Sequence, residues 1–163
     1  MMNENNENNE KKEILIFTDG SFIKHLDKCG YGVLFPNGEY KNISRRFKLP
    51  PLSNQRAELY AIYKGIKRVY KNDKTANIKI YTDSEYSINS LTIWIKNWKT
   101  NNWIASTGKP VANQDIIVKI DKLINKHQGT IKFQHVRSHT GKQDFESINN
   151  DKVDKLAKLG GDK

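Results

Sequence analysis

The chain has 163 residues with a hydrophobic content of 36%, a length that suits one domain with its own buried core. Its apolar runs are too short to span a membrane, and its Asn/Glu-rich start is unlike a signal peptide or an Arg-rich presequence. Cys29 is the only cysteine, which excludes an internal disulfide and a thiolate metal site. The net charge of +10 is better explained by a polyanionic partner than by a general need for solubility. We therefore expect a soluble intracellular protein of the cytoplasm or nucleus that is not secreted.

The start of the chain differs in composition from the rest. Residues 1–12 are low-complexity Asn and Glu without apolar periodicity, so they cannot bury enough surface to offset the entropy of ordering. We expect a disordered tail over residues 1–12 and one domain over residues 13–163.

The first predicted elements are three strands. A continuous apolar run at residues 14–17 is typical of a central strand. Residues 31–35 and 40–49 flank Pro36-Asn37-Gly38, whose Asn-Gly pair is a strong hairpin signal. These three strands are therefore predicted to form an antiparallel meander.

Helices and strands alternate in the remainder of the chain. Ser53 or Asn54 can cap a helix that follows Pro50-Pro51 and runs to about residue 70. The further predicted elements are a strand at 78–82, helices at 84–98 and 113–127, a strand at 130–136, a polar loop at 138–149 and a closing helix at 150–159. The order β-β-β-α-β-α-α-β-α predicts an α/β fold, a five-stranded mixed sheet with helices on its faces.

Two apolar segments end in nearly the same way, with Thr18-Asp19-Gly20 and with Thr82-Asp83-Ser84. Each predicts a buried strand that delivers an aspartate at its exit, and pairing of the two strands would bring both carboxylates to one edge. Because neighbouring carboxylates repel each other in a poorly solvated pocket, a divalent cation is the usual reason for such an arrangement. Alternatively, Asp19 is a turn residue and Asp83 is the N-cap of the next helix.

Two further acids are candidate ligands of the same metal site. Glu58 lies one turn into the first predicted helix, on the inward side with the small residues Ala61 and Gly65, although acids are common in first turns. Asp154 lies beside the apolar stripe of the closing helix, and Asp151 competes with it one turn earlier. Position alone does not separate these two.

Taken together, the motifs are similar to those of the type 1 ribonuclease H family, over residues 13–160. The segments that carry the resemblance are Thr18-Asp19-Gly20-Ser21, Asn54-Gln55-Arg56-Ala57-Glu58-Leu59, Tyr81-Thr82-Asp83-Ser84, Val136-Arg137-Ser138-His139-Thr140-Gly141 and Asp154-Lys155-Leu156-Ala157. Each is weak alone, but the ordered set is specific. The chain looks closest to eukaryotic-like members without their hybrid-binding domain, for which we expect lower processivity.

The resemblance implies an activity and a metal. Members of this family have a mixed sheet with helices on both faces and hydrolyse the RNA strand of RNA–DNA hybrids, leaving 5′-phosphate and 3′-hydroxyl ends. They hold two Mg²⁺ ions, with Mn²⁺ as a substitute, on a D-E-D-D set that falls here on Asp19, Glu58, Asp83 and Asp154. His139 matches a loop histidine that assists proton transfer or product departure, although the loop at residues 141–149 is long.

The resemblance also implies a substrate surface. Trp94, Trp98 and Trp103 alternate with lysines in a basic protrusion, although at least one tryptophan is expected to be core. The family residues that contact DNA fall on Tyr86, Trp94, Trp98 and Ser106, those of a DNA-phosphate pocket on Ser53 and Asn113, and the candidates for recognising RNA 2′-hydroxyls are Asn54, Gln55 and Glu85. The arginine that completes the phosphate pocket falls at Pro51, so the pocket is weakened or uses Arg45, Arg46 or Arg56.

Other functions compete with a hybrid-specific endoribonuclease. Integrases, transposases and resolvases use similar acidic sites on duplex DNA, but they lack the Trp-Lys protrusion. A non-catalytic nucleic-acid-binding module is disfavoured because all four matching carboxylates are present. A domain excised from a reverse transcriptase polyprotein is disfavoured by the self-contained core. We expect a monomer.

Overall fold

The computed structural model describes residues 12–163, so the predicted tail lies almost wholly outside the described residues. The strands are β1 (Glu13–Ile23), β2 (Lys28–Leu34), β3 (Ile43–Arg46), β4 (Asn77–Thr82) and β5 (Ile131–His135). The helices are α1 (Asn54–Asn72), α2 (Glu85–Asn89), α3 (Ile95–Thr100), α4 (Gln114–Lys126) and α5 (Phe145–Gly161). Within residues 12–163, no helix combines the length and the apolar character that crossing a bilayer requires.

The strands form one mixed sheet in the order β3-β2-β1-β4-β5. β1 pairs antiparallel with β2, and β2 pairs antiparallel with β3, which confirms the predicted meander. β4 is parallel to both β1 and β5. The first half of β1, residues 13–17, pairs with β4, while its second half, residues 17–23, pairs with β2.

Helices cover both faces of the sheet, as predicted, because β1 alternates apolar side chains between two separate cores. Ile14 and Ile16 belong to the larger core, which includes the buried faces of α1 and α4. Phe17 belongs to a second, smaller core with Val153 of α5, and Leu15 packs against it. The sheet thus separates α1 and α4 from α5, and each layer contributes acidic residues to the same end of the molecule.

Several predicted boundaries are wrong in detail. β1 does not end at Asp19 but runs on to Ile23, because residues 17–23 pair with β2. The Asn-Gly segment lies in a longer connection between β2 and β3, where the Asn42 side chain accepts a hydrogen bond from the Phe35 amide at 2.9 Å.

The two later helical predictions also need correction. The predicted helix at residues 84–98 is interrupted by a π-helical segment, Ser90–Trp94, between α2 and α3. α5 begins at Phe145 rather than at residue 150, so the polar loop is shorter than predicted. Phe145 packs edge-on against Phe17 with ring centroids 5.7 Å apart, a tertiary contact that fixes the earlier start and that local sequence does not reveal.

Candidate functional site

Three acids from three separate elements converge at one end of the sheet. Asp19 lies within β1, Glu58 lies in α1, and Asp83 follows directly after β4. One carboxylate oxygen from each lies within 4.8 Å of the other two. Asp19 is only 3% exposed, whereas Glu58 and Asp83 are half-buried. The cluster is thus a partly buried acidic site in which Asp19 is the most buried member.

A close approach of backbones brings Glu58 to this site. A Cβ on Gly20 would collide with the backbone of Ala57 and the amide of Glu58, so only glycine lets β1 pass this close to α1. The N-terminus of α1 is fixed by Ser53, whose side chain caps the helix by accepting a hydrogen bond from the Arg56 amide at 3.1 Å. Asn54 ties the same end to β1, because its side-chain oxygen accepts from the Phe22 amide at 2.7 Å.

Asp154 reaches the cluster from the opposite face of the sheet. A Cβ on Gly32 would lie 2.8 Å from the amide nitrogen of Ala157, so the glycine allows α5 to lie directly on β2. The carboxyl groups of Asp154 and Asp19 share a hydrogen bond, and Asp154 also forms an ion pair with Lys158 at 3.0 Å. Asp154, which helix position alone did not separate from Asp151 and which the family resemblance favours, is therefore the one that interacts with Asp19.

The electrostatics of the cluster are unfavourable without a cation. Burial, followed by the charges of Asp83 and Glu58, raises the pKa of Asp19 to about 9. Burial and the Asp83 charge raise the pKa of Glu58 to about 7, and burial also raises the pKa of Asp83. Carboxyl groups resist ionisation here because they are desolvated and repel one another, and a divalent cation would remove both penalties.

The sequence did not single out two residues that orient these acids. The side chain of Asn150, only 2% exposed, is hydrogen-bonded to Asp83, and the Ser84 side chain is hydrogen-bonded to Glu58. Ser84 also caps α2 by accepting from the Ser87 amide at 3.1 Å. The signal for Asn150 was its position one turn before Asp154 on the predicted closing helix, but its contact with Asp83 is tertiary and does not show in the local sequence.

His139 lies on the loop between β5 and α5. It is exposed and adopts a left-handed backbone conformation with φ of 54°. Burial raises the pKa of Asp83, and His135 and His139 only partly offset this rise, so both imidazoles lie within electrostatic reach of the cluster. Of the two, only His139 was predicted, and His135 instead lies 3.8 Å from Glu85.

Aromatic rings extend from the start of α2 into the protrusion. Tyr86 contacts Trp94, Trp94 contacts Trp98, and Trp98 contacts Trp103, with successive ring centroids 6.0, 6.1 and 6.0 Å apart. Trp98 and Trp103 pack partly against the main core, whereas Trp94 is 38% exposed. Trp94, Trp98 and Ser106 line one cleft of about 610 Å³, so the structure brings together these three predicted contacts.

A second polar constellation joins the starts of α1 and α4. Arg56, only 4% exposed, donates two hydrogen bonds of 2.8 Å to the carboxylate of Asp115, and a longer one of 3.4 Å to the side chain of Asn113. Asn113 in turn donates to the Tyr86 hydroxyl at 2.8 Å. Of the three arginines considered for the phosphate pocket, Arg56 is thus the one beside Asn113. Its guanidinium group is already paired with the Asp115 carboxylate.

The remaining predicted contacts lie at helix starts. Asn54 and Gln55 are the first two residues of α1, and Glu85 is the first residue of α2. All three residues are exposed. Asn54 and Gln55 lie within one helical turn of Glu58, and Glu85 lies two residues after Asp83. The structure therefore places these three beside the acidic cluster and facing solvent.

Comparison with known proteins agrees with this geometry. The family model described as RNase H matches residues 11–161. The chain is 39% identical to ribonuclease HI of Pasteurella multocida over 153 residues, covering 93% of this chain and 92% of that protein. It is 34% identical to ribonuclease H1 of Mus musculus over 154 residues, covering 91% of this chain and 50% of that protein.

A solved structure gives the same result for the fold. The solution structure of the PFV RNase H domain superposes with a TM-score of 0.72 at 25% identity, covering 93% of this chain and 96% of that domain. The sheet order, the acidic cluster and these matches over nearly the whole described chain agree with one another. The chain therefore belongs to the RNase H family.

Proposed function

We propose that this chain cleaves the RNA strand of RNA–DNA hybrids with two divalent metal ions held by Asp19, Glu58, Asp83 and Asp154. Ribonuclease H activity follows from family membership. The single observation that supports the metal mechanism is the convergence of Asp19, Glu58 and Asp83 within 4.8 Å. The hydrogen bond between Asp19 and Asp154 supports the fourth ligand.

The chemistry of these side chains suits Mg²⁺. Carboxylate oxygens are hard ligands, and the described cluster contains no sulfur or imidazole ligand that would favour a softer metal. The raised pKa values of Asp19 and Glu58 have the same meaning, because a cation between the two carboxylates would stabilise their charged forms. Mn²⁺, which prefers the same oxygen ligands, is the expected substitute.

Several residues of the chain orient the metal ligands or assist the reaction. When bound, divalent ions activate a water and neutralise the departing 3′ oxygen, which leaves 5′-phosphate and 3′-hydroxyl ends. Asn150 and Ser84 hold Asp83 and Glu58 in place, so that little reorganisation is needed when the substrate arrives. We assign His139 to proton transfer or product departure, because it is exposed on a loop beside Asp83.

The two strands of the hybrid are proposed to bind different surfaces. The cleft beside Trp94, Trp98 and Ser106 takes the DNA strand, and the Tyr86 ring packs against a deoxyribose, where a 2′-hydroxyl would clash. Ser53 and Asn113 contact a DNA phosphate. Because Asp115 neutralises Arg56, that phosphate contact is proposed to be weak.

The RNA strand is proposed to lie on the other side of the cluster. Asn54, Gln55 and Glu85 are exposed at helix starts within a turn of the metal ligands, where they can exchange hydrogen bonds with 2′-hydroxyl groups. An intracellular monomer with residues 13–163 as its catalytic domain completes the proposal.

Cleavage assays test this proposal directly. We expect the protein to cut the RNA strand of a labelled hybrid in Mg²⁺, to leave duplex DNA and duplex RNA intact, and to lose all activity in EDTA. The matched control is Asp151→Asn, which removes an acid on α5 one turn from Asp154. If Asp19→Asn cut the hybrid as fast as Asp151→Asn, the assignment of Asp19 as a ligand would be wrong.

A further inference from the structure

A groove between α1 and α4, remote from the acidic cluster, is lined by lysines around an apolar floor. It encloses about 320 Å³. Half-buried Tyr63 and Tyr70 and buried Leu123 form the floor. The surrounding cations are Lys67, Lys71, Lys119, Lys122 and Lys126. We call this feature the lysine groove.

The positive charge continues around α1. A smaller neighbouring cavity of about 130 Å³ shares Lys67 and Lys71 with the lysine groove, and adds Lys64 and Arg68. No acidic residue lines either cavity within the part of the chain that the structure describes. Of the acids nearby, Asp121 on α4 is already paired with Lys99 at 2.7 Å.

These cations repel one another. Burial, followed by the charges of Lys67, Arg45, Lys71 and Arg68, lowers the pKa of Lys64. None of the ion pairs formed within residues 12–163 involves a cation lining the two cavities. Binding of an external polyanion would relieve this repulsion, because, among the described residues, the surface has no acidic side chains of its own to neutralise its positive charge.

Helix geometry separates this surface from the candidate active site. At the starts of α1 and α4, Arg56 is hydrogen-bonded to Asp115. At their ends, the ring centroids of Tyr70 and His127 lie 6.2 Å apart, so the two helices run in the same direction. With a rise of about 1.5 Å per residue, Lys67 and Lys71 lie ~14 and ~20 Å along α1 from Glu58. The groove therefore lies towards the far end of α1 from the acidic cluster.

We propose that the lysine groove is a second nucleic-acid-binding site, which holds the phosphate backbone of a strand that continues beyond the cleaved segment. Lys64, Lys67 and Lys71 repeat at roughly one helical turn, about 5 Å, which suits a repeating anion better than one isolated group. The lysine ammonium group is a compact charge that binds phosphates without a preferred bidentate geometry, whereas carboxylates are recognised best by the planar guanidinium group of arginine. The ammonium groups of Lys67 and Lys119 lie 5.4 and 6.0 Å from the centroid of the Tyr63 ring, which gathers both charges over the floor of the groove. The proposal goes beyond the cleavage reaction, because it adds tethering to it.

The test uses a groove variant and a charge-matched control. The groove variant carries Lys67→Ala, Lys71→Ala and Lys122→Ala, while the control carries Lys24→Ala, Lys132→Ala and Lys163→Ala at exposed positions elsewhere. Fluorescence anisotropy in EDTA measures binding of a short hybrid, and of the same hybrid with a single-stranded DNA extension of about 20 nucleotides, long enough to reach the groove. A third variant with arginine at the three groove positions keeps the charge.

We expect the groove variant alone to lose affinity for the extended hybrid. The groove variant should bind the extended hybrid about tenfold more weakly at low salt, with a salt slope reduced by about 0.7 for each phosphate of the single strand that the groove no longer neutralises. The control and the arginine variant should stay within about twofold of the wild type, which is within the spread of generic charge effects. The rate of cleavage at saturating short hybrid should not change in any of the three.

Other results would overturn the proposal, and they are separable from failure of the cleavage function. Equal affinity of the groove and control variants for the extended hybrid would show that the groove binds no nucleic acid. Unchanged hybrid binding together with weaker binding of poly-glutamate would identify an acidic protein as the occupant instead. Failure of the wild type to cleave any hybrid would refute the proposed function alone, and the binding comparison would still decide the groove.

Discussion

The rings of Phe17 and Tyr81 stack across the parallel pair β1–β4, with centroids 4.4 Å apart and planes only 5° from parallel. These two residues are the last that pair in this register, and Asp19 and Asp83 each follow two positions later. The stacked pair therefore sets the level at which both carboxylates emerge. It also packs against Phe145, so α5 is anchored beside the same point of the sheet.

Replacing Asp19 should separate activity from stability. With its pKa raised to about 9, Asp19 must take up a proton when the metal-free protein folds at neutral pH, a cost that Asp19→Asn avoids, so we expect no detectable cleavage but a more stable metal-free protein. The gain should be about 1–3 kcal/mol, equivalent to one or two pKa units of relieved repulsion. Thermal unfolding in EDTA measures it, and Asp151→Asn is the control. A lower melting temperature for Asp19→Asn than for the wild type would contradict the electrostatic account of the cluster.

The same repulsion predicts how stability depends on pH. The pKa of Asp19 rises from 3.8 to about 9 in the folded protein, and that of Glu58 from 4.5 to about 7. A carboxyl group whose folded pKa is raised contributes stability that is complete below its unfolded pKa and is lost as the pH rises through the folded value. Without metal, this contribution should therefore be lost between about pH 4 and pH 9.

The measurement compares two proteins so that other titrations cancel. Melting temperatures in EDTA should favour Asp19→Asn over the wild type by an amount that grows from pH 5 to pH 9, on the basis of the raised pKa of Asp19. Saturating Mg²⁺ should raise the melting temperature of the wild type more than that of the variant. A difference between the two proteins that stays constant with pH would show that Asp19 is not the group responsible.

The sequence was sufficient to predict much of the site because its motifs are local. Asp83 follows a strand whose apolar pattern is unmistakable, and Ser53 caps α1 as its residue type suggests. Glu58 was placed correctly on the inward side of α1 by helical spacing alone. These features depend on neighbours in the chain, which is what periodicity and capping rules describe.

Tertiary contacts decided what the sequence could not reveal. β1 continues past Asp19 because β2 pairs with it, and Gly20 is needed for passage beside α1 rather than for a turn. Likewise, Phe145 joins α5 through aromatic packing with residues on two strands, so the helix starts earlier than its apolar stripe indicates. The role of Asn150 depends on its contact with Asp83, which lies on a different element.

Asn150 is predicted to be a positioning residue for Asp83. Asn150→Ala removes a buried hydrogen bond to that carboxylate, and we expect an apparent Mg²⁺ affinity lower by about 10–100-fold, as is usual for partners of metal ligands. Asn149→Ala is the matched control, because its side chain bonds only the Phe145 carbonyl, at 2.8 Å, among the described residues. Titrating Mg²⁺ in the cleavage assay should shift the midpoint for Asn150→Ala and restore part of its rate at high Mg²⁺. Identical midpoints for the two variants would leave Asn150 with a purely structural role.

Gly20→Ala should perturb the site through the backbone of α1. The added Cβ would lie 2.7 Å from the Ala57 carbonyl carbon and would also meet the Glu58 amide, so β1 and α1 must move apart. Overpacking of this kind costs about 1–3 kcal/mol, and a shift of the Glu58 carboxylate by even ~1 Å can lower the rate about 100-fold. Cleavage rates measured well below the melting temperature separate the two effects, and Ser21→Ala, one residue further along β1, serves as the control. A variant that unfolds more easily but cleaves at the rate of Ser21→Ala would show that the contact holds the fold without aligning Glu58.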